Sequence, residues 1–316
     1  MKQYKRRSAM RVLWLCIAVL ALCAAVALGV LLPVPKSQDV QIPGARGTVP
    51  ATVQMPSKLA RAGDVPLAVL CHGFTGNRGG DTHFEGLAAD LAEQGIATVR
   101  MDFPGCGQSS EPYTAYTLAN MAADVDAAIN YMQEEYGVDG KIALVGHSMG
   151  GRLASLFPQI SAREGYDQVS ALVLWSPANG TGLQGLEFLN IDDFSQVEAV
   201  AAEALANGQA GTKWGVEISD VFVQEMQDSD PNAALREAGL PVLLTYAGHE
   251  TLFTETTVSE TIATVQSLPD STVVLDPFTE GDHNYFGPAG KEDPATPVMD
   301  ADLRAATISF LTETLK

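Results

Sequence analysis

The chain has 316 residues, 46% hydrophobic and 18% charged, a globular balance that excludes a disordered or low-complexity protein. The net charge of −19 hides an asymmetry, since Lys2, Lys5, Arg6, Arg7 and Arg11 open the chain and no acid precedes Asp39. From residue 12 onward 14 basic residues face 38 acidic ones, a net of −24, which argues against nucleic acid or an anionic lipid surface as a partner of the body.

Residues 12–32 are 21 positions without a charge. That is close to the roughly 20 apolar residues that a helix needs to cross the hydrocarbon core. The basic residues ahead of it favour the cytoplasmic side. The expectation is a cytoplasmic segment 1–11, a transmembrane signal-anchor 12–32, a linker 33–38 and an extracytoplasmic body 39–316. Cleavage at Ala25-Val26-Ala27, which fits a small-x-small signal site and would give a secreted protein, is the alternative.

In the body, strand-like runs at 40–42 and 48–55 flank Pro43-Gly44-Ala45-Arg46-Gly47, a hairpin-type opening. A polar turn at 56–65 leads to a continuous apolar run at 67–71, which reads as a strand buried on both faces. A helix is expected at 82–94, a buried strand at 96–101 and an amphipathic helix at 117–136. A strand at 141–145, a helix from 149 to about 157 and a strand at 169–175 follow. The alternation then breaks. Residues 178–238 carry only short helical signals at 197–205 and 221–226 and read as an insertion. A strand at 241–247, a helix at 255–268, a strand at 272–275 and a helix at 298–315 complete a doubly wound, mostly parallel α/β sheet.

The four cysteines are too few for a disulfide scaffold, and no Cys/His spacing suggests zinc. Cys16 and Cys23 lie in the apolar N-terminal run. Cys71 and Cys106 are expected as buried free thiols, with a bridge between them left open.

The chemistry concentrates at 141–151, Lys-Ile-Ala-Leu-Val-Gly-His-Ser-Met-Gly-Gly. A buried strand, a turn with a serine at its tip and a helix form the nucleophile elbow of the α/β-hydrolases. A serine hydroxyl needs a base, and the base needs a third group to orient it. In this fold the order along the chain is serine, acid, histidine. Of the five histidines (72, 83, 147, 249 and 283), only His249 and His283 follow Ser148. His283 lies in a polar turn after the last strand and is the expected base, while Glu250, just past the penultimate strand, is the expected acid. Asp276 and Asp282 are rival acids, close in sequence to His283. The backbone N–H groups of Phe74 and Met149 are the candidate oxyanion donors, and His72 and His147 are expected to shape the site.

The runs Cys-His-Gly-Phe-Thr-Gly-Asn-Arg at 71–78 and Asp-Phe-Pro-Gly-Cys-Gly-Gln-Ser at 102–109 resemble the oxyanion and D-x-x-G-x-G-x-S loops of bacterial serine esterases. Within the α/β-hydrolase superfamily the resemblance is closest to feruloyl and cinnamoyl esterases, over residues 66–177 and more loosely 238–287. It implies an α/β-hydrolase fold with the 178–238 insertion as a cap, and cleavage of small-molecule carboxylic esters through an acyl-enzyme without metal or organic cofactor. One departure is Ala247-Gly248-His249-Glu250, where the family has G-x-x-D. A peptidase, thioesterase or lipase using the same three residues is the alternative, and a non-catalytic hydrolase-fold binding module is a third reading.

Overall fold

The structure, a computed structural model, describes residues 37–56, 64–80 and 83–315. The expected signal-anchor at 12–32 lies outside them. No helix among the described residues is long and apolar enough to cross a membrane.

Strands β1 (Ser37–Gly44) and β2 (Gly47–Gln54) form the expected antiparallel hairpin. Next come β3 (Leu67–Cys71), α1 (His83–Glu93), β4 (Ala97–Met101), α2 (Leu118–Tyr136), β5 (Ile142–His147), α3 (Met149–Glu164) and β6 (Ala171–Trp175). Between β6 and the next sheet strand lie a 3-10 segment Gly182–Leu189, α4 (Phe194–Asn207), a small hairpin of β7 (Gln209–Gly211) and β8 (Glu217–Ser219), α5 (Asp220–Gln227) and α6 (Pro231–Ala238). The chain closes with β9 (Val242–Thr245), α7 (Glu255–Gln266), β10 (Thr272–Val274) and α8 (Thr296–Leu315).

The main sheet has eight strands in the order β1-β2-β4-β3-β5-β6-β9-β10. The pairings from β4 to β10 are all parallel, and β2 meets β4 antiparallel. Side chains alternate between two buried faces, which is why these strands read as unbroken apolar runs. Val69, Val99, Leu144 and Leu172 pack beneath α2 and α3 with Met121, Val125 and Leu153. Leu70, Val145 and Val173 face the other way, onto Phe84, Leu87 and Leu91 of α1 and Leu303 and Leu311 of α8. The carboxyl edge of the parallel strands carries the loops that hold the candidate residues, after β3 and β5, which are neighbours, and after β9 and β10, with β6 between β5 and β9.

Two expectations need correction. The helix after the elbow does not stop near 157 but runs through Pro158 to Glu164, ending at Gly165 with φ +78°. Pro158 removes one N–H, but Leu156, Phe157 and Ile160 keep the buried face continuous across it. The insertion is also more helical than its signals. In α4 the buried face is built from Val197, Ala201 and Ala204, mostly small residues that give little amphipathic contrast. Its ends are nonetheless specified, by Asp193 accepting from the Ser195 N–H and by Gly208 at φ +86°. Cys71 and Cys106 are both free and buried.

Candidate active site

Ser148 sits between β5 and α3 at φ +55°, ψ −117°, a conformation that L-residues seldom adopt. Two glycines make the turn sterically possible. A Cβ on Gly146 would lie 2.2 Å from the Gly150 carbonyl oxygen, and one on Gly150 would lie 2.0 Å from that of Cys71. The serine backbone is held from both sides. Its N–H donates to the Trp175 carbonyl at 2.9 Å, and its carbonyl accepts from the N–H groups of Arg152 and Ala178, each at 3.0 Å.

Glu250 and His283 are brought together by the way the chain leaves the sheet. Beyond β9, the N–H groups of Gly248 and His249 donate to the carbonyls of Phe278 (2.8 Å) and Gly281 (2.9 Å), which continues the parallel pairing past β10. This registers the next residue, Glu250, against His283, whose Nδ1 lies 2.8 Å from Oε2 and 3.0 Å from Oε1. Both side chains are only 7% exposed, so the pair is shielded from water. Glu250 Oε1 also accepts from the Leu252 N–H at 2.9 Å. His249 points away, with its side chain 63% exposed. Asp282 uses Oδ1 to accept from the Asn284 and Phe286 N–H groups and so builds the turn, and Asp276 is exposed.

The loop that carries His283 is fixed by groups absent from the candidate set except for the shaping residue His147. His147 Nε2–H donates to the His283 carbonyl at 3.0 Å. Burial, reinforced by the neighbouring His283 ring, pushes the His147 pKa down to about 3, so the ring is neutral and its proton sits on Nε2. His83 Nε2 meets the next carbonyl, that of Asn284, at 2.8 Å, while its Nδ1 faces Asp300 at 2.7 Å. Tyr285, at φ +61°, places its hydroxyl 2.6 Å from Thr245 Oγ1 and accepts from the Ser176 hydroxyl at 3.2 Å. Reasoning from chain order set His83 aside because it precedes the serine. Its pairing with Asp300 across 217 residues leaves no local sequence signal.

The loop after β3 comes against the serine at Gly73, where a Cβ would lie 2.9 Å from Ser148 Cβ. His72 Nε2 accepts the Phe103 N–H at 3.1 Å, so Nδ1 carries the proton that goes to the Gly73 carbonyl at 2.8 Å. Around Phe74 the neighbouring N–H groups are committed, Thr75 to Tyr113 Oη (3.0 Å) and Gly76 to the Gly73 carbonyl (3.1 Å). Met149 is the first residue of α3, where backbone N–H groups have no intrahelical acceptor. Asp102 ties the two family-like loops together by accepting from the Arg78 and Gln108 N–H groups and pairing with the Arg78 guanidinium.

Ser148, His283 and Phe74 line one cavity of about 270 Å³, closed by Leu252, Phe188 and Trp214. Phe188 comes from the 3-10 segment and Trp214 from the turn between β7 and β8, so the insertion forms part of the wall. Phe74 packs on both, with ring centroids 4.9 Å from Phe188 and 6.4 Å from Trp214. No insertion residue stood among the sequence candidates. The signal available was a handful of aromatic rings, Phe188 and Trp214 among them, in a stretch otherwise rich in small and polar side chains.

Residues 66–198 match the sequence profile of the α/β hydrolase fold family. Protein phosphatase methylesterase 1 of Schizosaccharomyces pombe is 26% identical over 156 residues, 48% of this chain and 44% of that protein. The chain spans less than half the length of the curated relatives it matches. Among solved structures, Est1E of Butyrivibrio proteoclasticus with ferulic acid superposes at TM-score 0.64 and 21% identity, covering 86% of this chain and 99% of Est1E. The Pyrococcus furiosus esterase Pf2001 gives 0.61 at 15% identity, with 89% and 92% covered. The chain is therefore an α/β-hydrolase-fold protein, and esterases stand among the structures it resembles.

Proposed function

We propose that the protein is a serine hydrolase that cleaves carboxylic esters through an acyl-enzyme. The observation that carries this reading is the shielded contact of Glu250 with His283 Nδ1, on a loop that shares one cavity with the strained Ser148. Ser148 Oγ attacks the acyl carbon while His283 Nε2 takes its proton. Glu250 keeps the other ring proton on Nδ1 and stabilises the imidazolium as it forms. The negative charge on the tetrahedral intermediate accepts hydrogen bonds from the Phe74 and Met149 N–H groups, with the positive end of α3 directed at it. Collapse expels the alcohol, protonated by His283. Water then attacks the acyl-enzyme with His283 again as base, and the acid departs with Ser148 restored.

The cavity of about 270 Å³ and its Phe74, Phe188 and Trp214 rings support a compact acyl group over a long flexible chain. The ferulic acid held by Est1E is an acid of that compact kind. Comparing ester, thioester and aminoacyl-amide turnover separates this reading from a thioesterase or peptidase. The basic run ahead of residues 12–32 supports an uncleaved anchor with the body on the extracytoplasmic face. N-terminal sequencing of the mature protein separates this from release after residue 27. The direct test of the chemistry is turnover of short p-nitrophenyl esters by the full chain and by Ser148→Ala. Loss of turnover in the variant is expected, and wild-type turnover by Ser148→Ala would sink the assignment.

A further inference from the structure

Arg152 is completely buried, one turn of α3 beyond Ser148. Arginine is almost never fully buried unless a carboxylate pairs with it. Here the guanidinium is held by neutral oxygens. Nη1 donates to the carbonyls of Ala178 (2.8 Å) and Gly180 (2.7 Å). Nη2 donates to Ser229 Oγ (2.8 Å) and, at longer range, to the carbonyls of Met226 and Ser229, each at 3.4 Å. Burial lowers its pKa to about 9, with Asp230 the one charge opposing the shift, so the side chain is a cation at neutral pH.

These acceptors are not scattered. Residues 178–180 are where the insertion leaves the hydrolase core, and residues 226–229 run from the end of α5 to α6, the helix that packs back onto α3 before the chain re-enters the sheet at β9. One guanidinium therefore spans both roots. The 3-10 segment crosses directly over it, since a Cβ on Gly185 would lie 2.6 Å from Nη1. Three residues further on is Phe188, part of the cavity wall. The same arginine touches the nucleophile's backbone, because its N–H and that of Ala178 share the Ser148 carbonyl.

We propose that Arg152 is a positioning residue that clamps both roots of the insertion to the helix beginning at Ser148 and thereby holds Phe188 and Trp214 over the acyl site. The proposal rests on the reading of Ser148 as the nucleophile. A planar fork with donors on both edges suits this task, because a lysine ammonium is a point charge on one stem and cannot reach both roots at once. Loss of the clamp loosens the wall that holds the acyl group while leaving Ser148, His283 and Glu250 in place. The effect belongs in substrate binding.

The test uses the full chain with Arg152→Lys and, as a milder variant, Ser229→Ala, which removes one acceptor and keeps the cation. Steady-state kinetics are compared for an acetyl ester and a bulkier benzoyl ester, together with hydrogen exchange of the amides at 178–189 and 226–229. For Arg152→Lys the benzoyl KM rises roughly tenfold, while kcat for the acetyl ester stays within about threefold. Exchange speeds up at both roots and not in β5 or β6. Ser229→Ala shows the same pattern, smaller and confined to 226–229. Unchanged KM and unchanged root exchange in folded variants overturn the proposal, as does an equal fall in kcat for both esters. If Arg152→Lys does not fold, Ser229→Ala decides by the same two readouts. Failure of the nucleophile reading is distinguishable, since Ser148→Ala would then turn over both esters like the wild type.

Discussion

Replacing Glu250 with glutamine probes the least familiar member of the proposed triad, and the surrounding hydrogen bonds dictate how the amide must sit. The Leu252 N–H donates to Oε1 at 2.9 Å, so in Glu250→Gln that position must hold the amide oxygen. The amide NH2 then occupies the place of Oε2, 2.8 Å from His283 Nδ1. An Nδ1 proton would face a donor across this shorter contact and keep only the amide oxygen at 3.0 Å, so the tautomer with its proton on Nε2, whose Nδ1 accepts from the amide, becomes favoured. The nitrogen directed to the serine is then no longer a base. The variant also loses the attraction between carboxylate and imidazolium, about 4 kcal/mol for charges ~4 Å apart at an effective dielectric constant of about 20. That corresponds to roughly a thousandfold in kcat, with KM little changed because no substrate contact is lost. The assay is initial-rate hydrolysis of p-nitrophenyl acetate by folded variant and wild type across pH 6–9. A Glu250→Gln kcat within about tenfold of the wild type would refute the role given to this carboxylate.

Two further outcomes follow from other contacts. Gly150→Ala forces a Cβ to 2.0 Å from the Cys71 backbone oxygen, which no side-chain rotation relieves. A loss of at least about 3 kcal/mol in urea unfolding is expected, and a loss below about 1 kcal/mol contradicts the packing described. Asp124 pairs with Arg46, but burial dominates and raises its pKa from 3.8 to about 6. The folded state thus binds this proton more tightly than the unfolded chain. The stabilisation is complete below the unfolded value and is lost as pH rises through about 6, on the order of 3 kcal/mol in all. Urea midpoints measured from pH 4 to 7 should fall with pH more steeply for wild type than for Asp124→Asn. Parallel curves would show that Asp124 titrates normally.

Much of the sheet was legible because buried parallel strands and their helices carry strong periodic signals. Residues 67–71 were read as a strand from an apolar run, and the structure has β3 there. The helix expected at 117–136 begins at Thr117 as its cap and ends at Gly137, both visible as residue types. Chain order placed Glu250 and His283 on the same edge as Ser148, and the strand-like pairing at Gly248 and His249 explains how they meet. What escaped is what depends on distant partners. His83 acts on the His283 loop through the Asn284 carbonyl, and nothing near residue 83 announces that. Nothing near Arg152 in the sequence marks it as buried, because its five acceptors are contributed by two remote segments. Phe188 and Trp214 became wall residues only once the insertion folded back over Phe74.

The role of Ser148 as nucleophile is open to one direct measurement. The full chain is treated with a small fluorophosphonate, digested, and the adduct located by mass spectrometry. A single phosphonyl group on Ser148 is expected, formed at a rate that falls by orders of magnitude in His283→Ala. No adduct on folded protein, or an adduct on another residue that persists in Ser148→Ala, would contradict it.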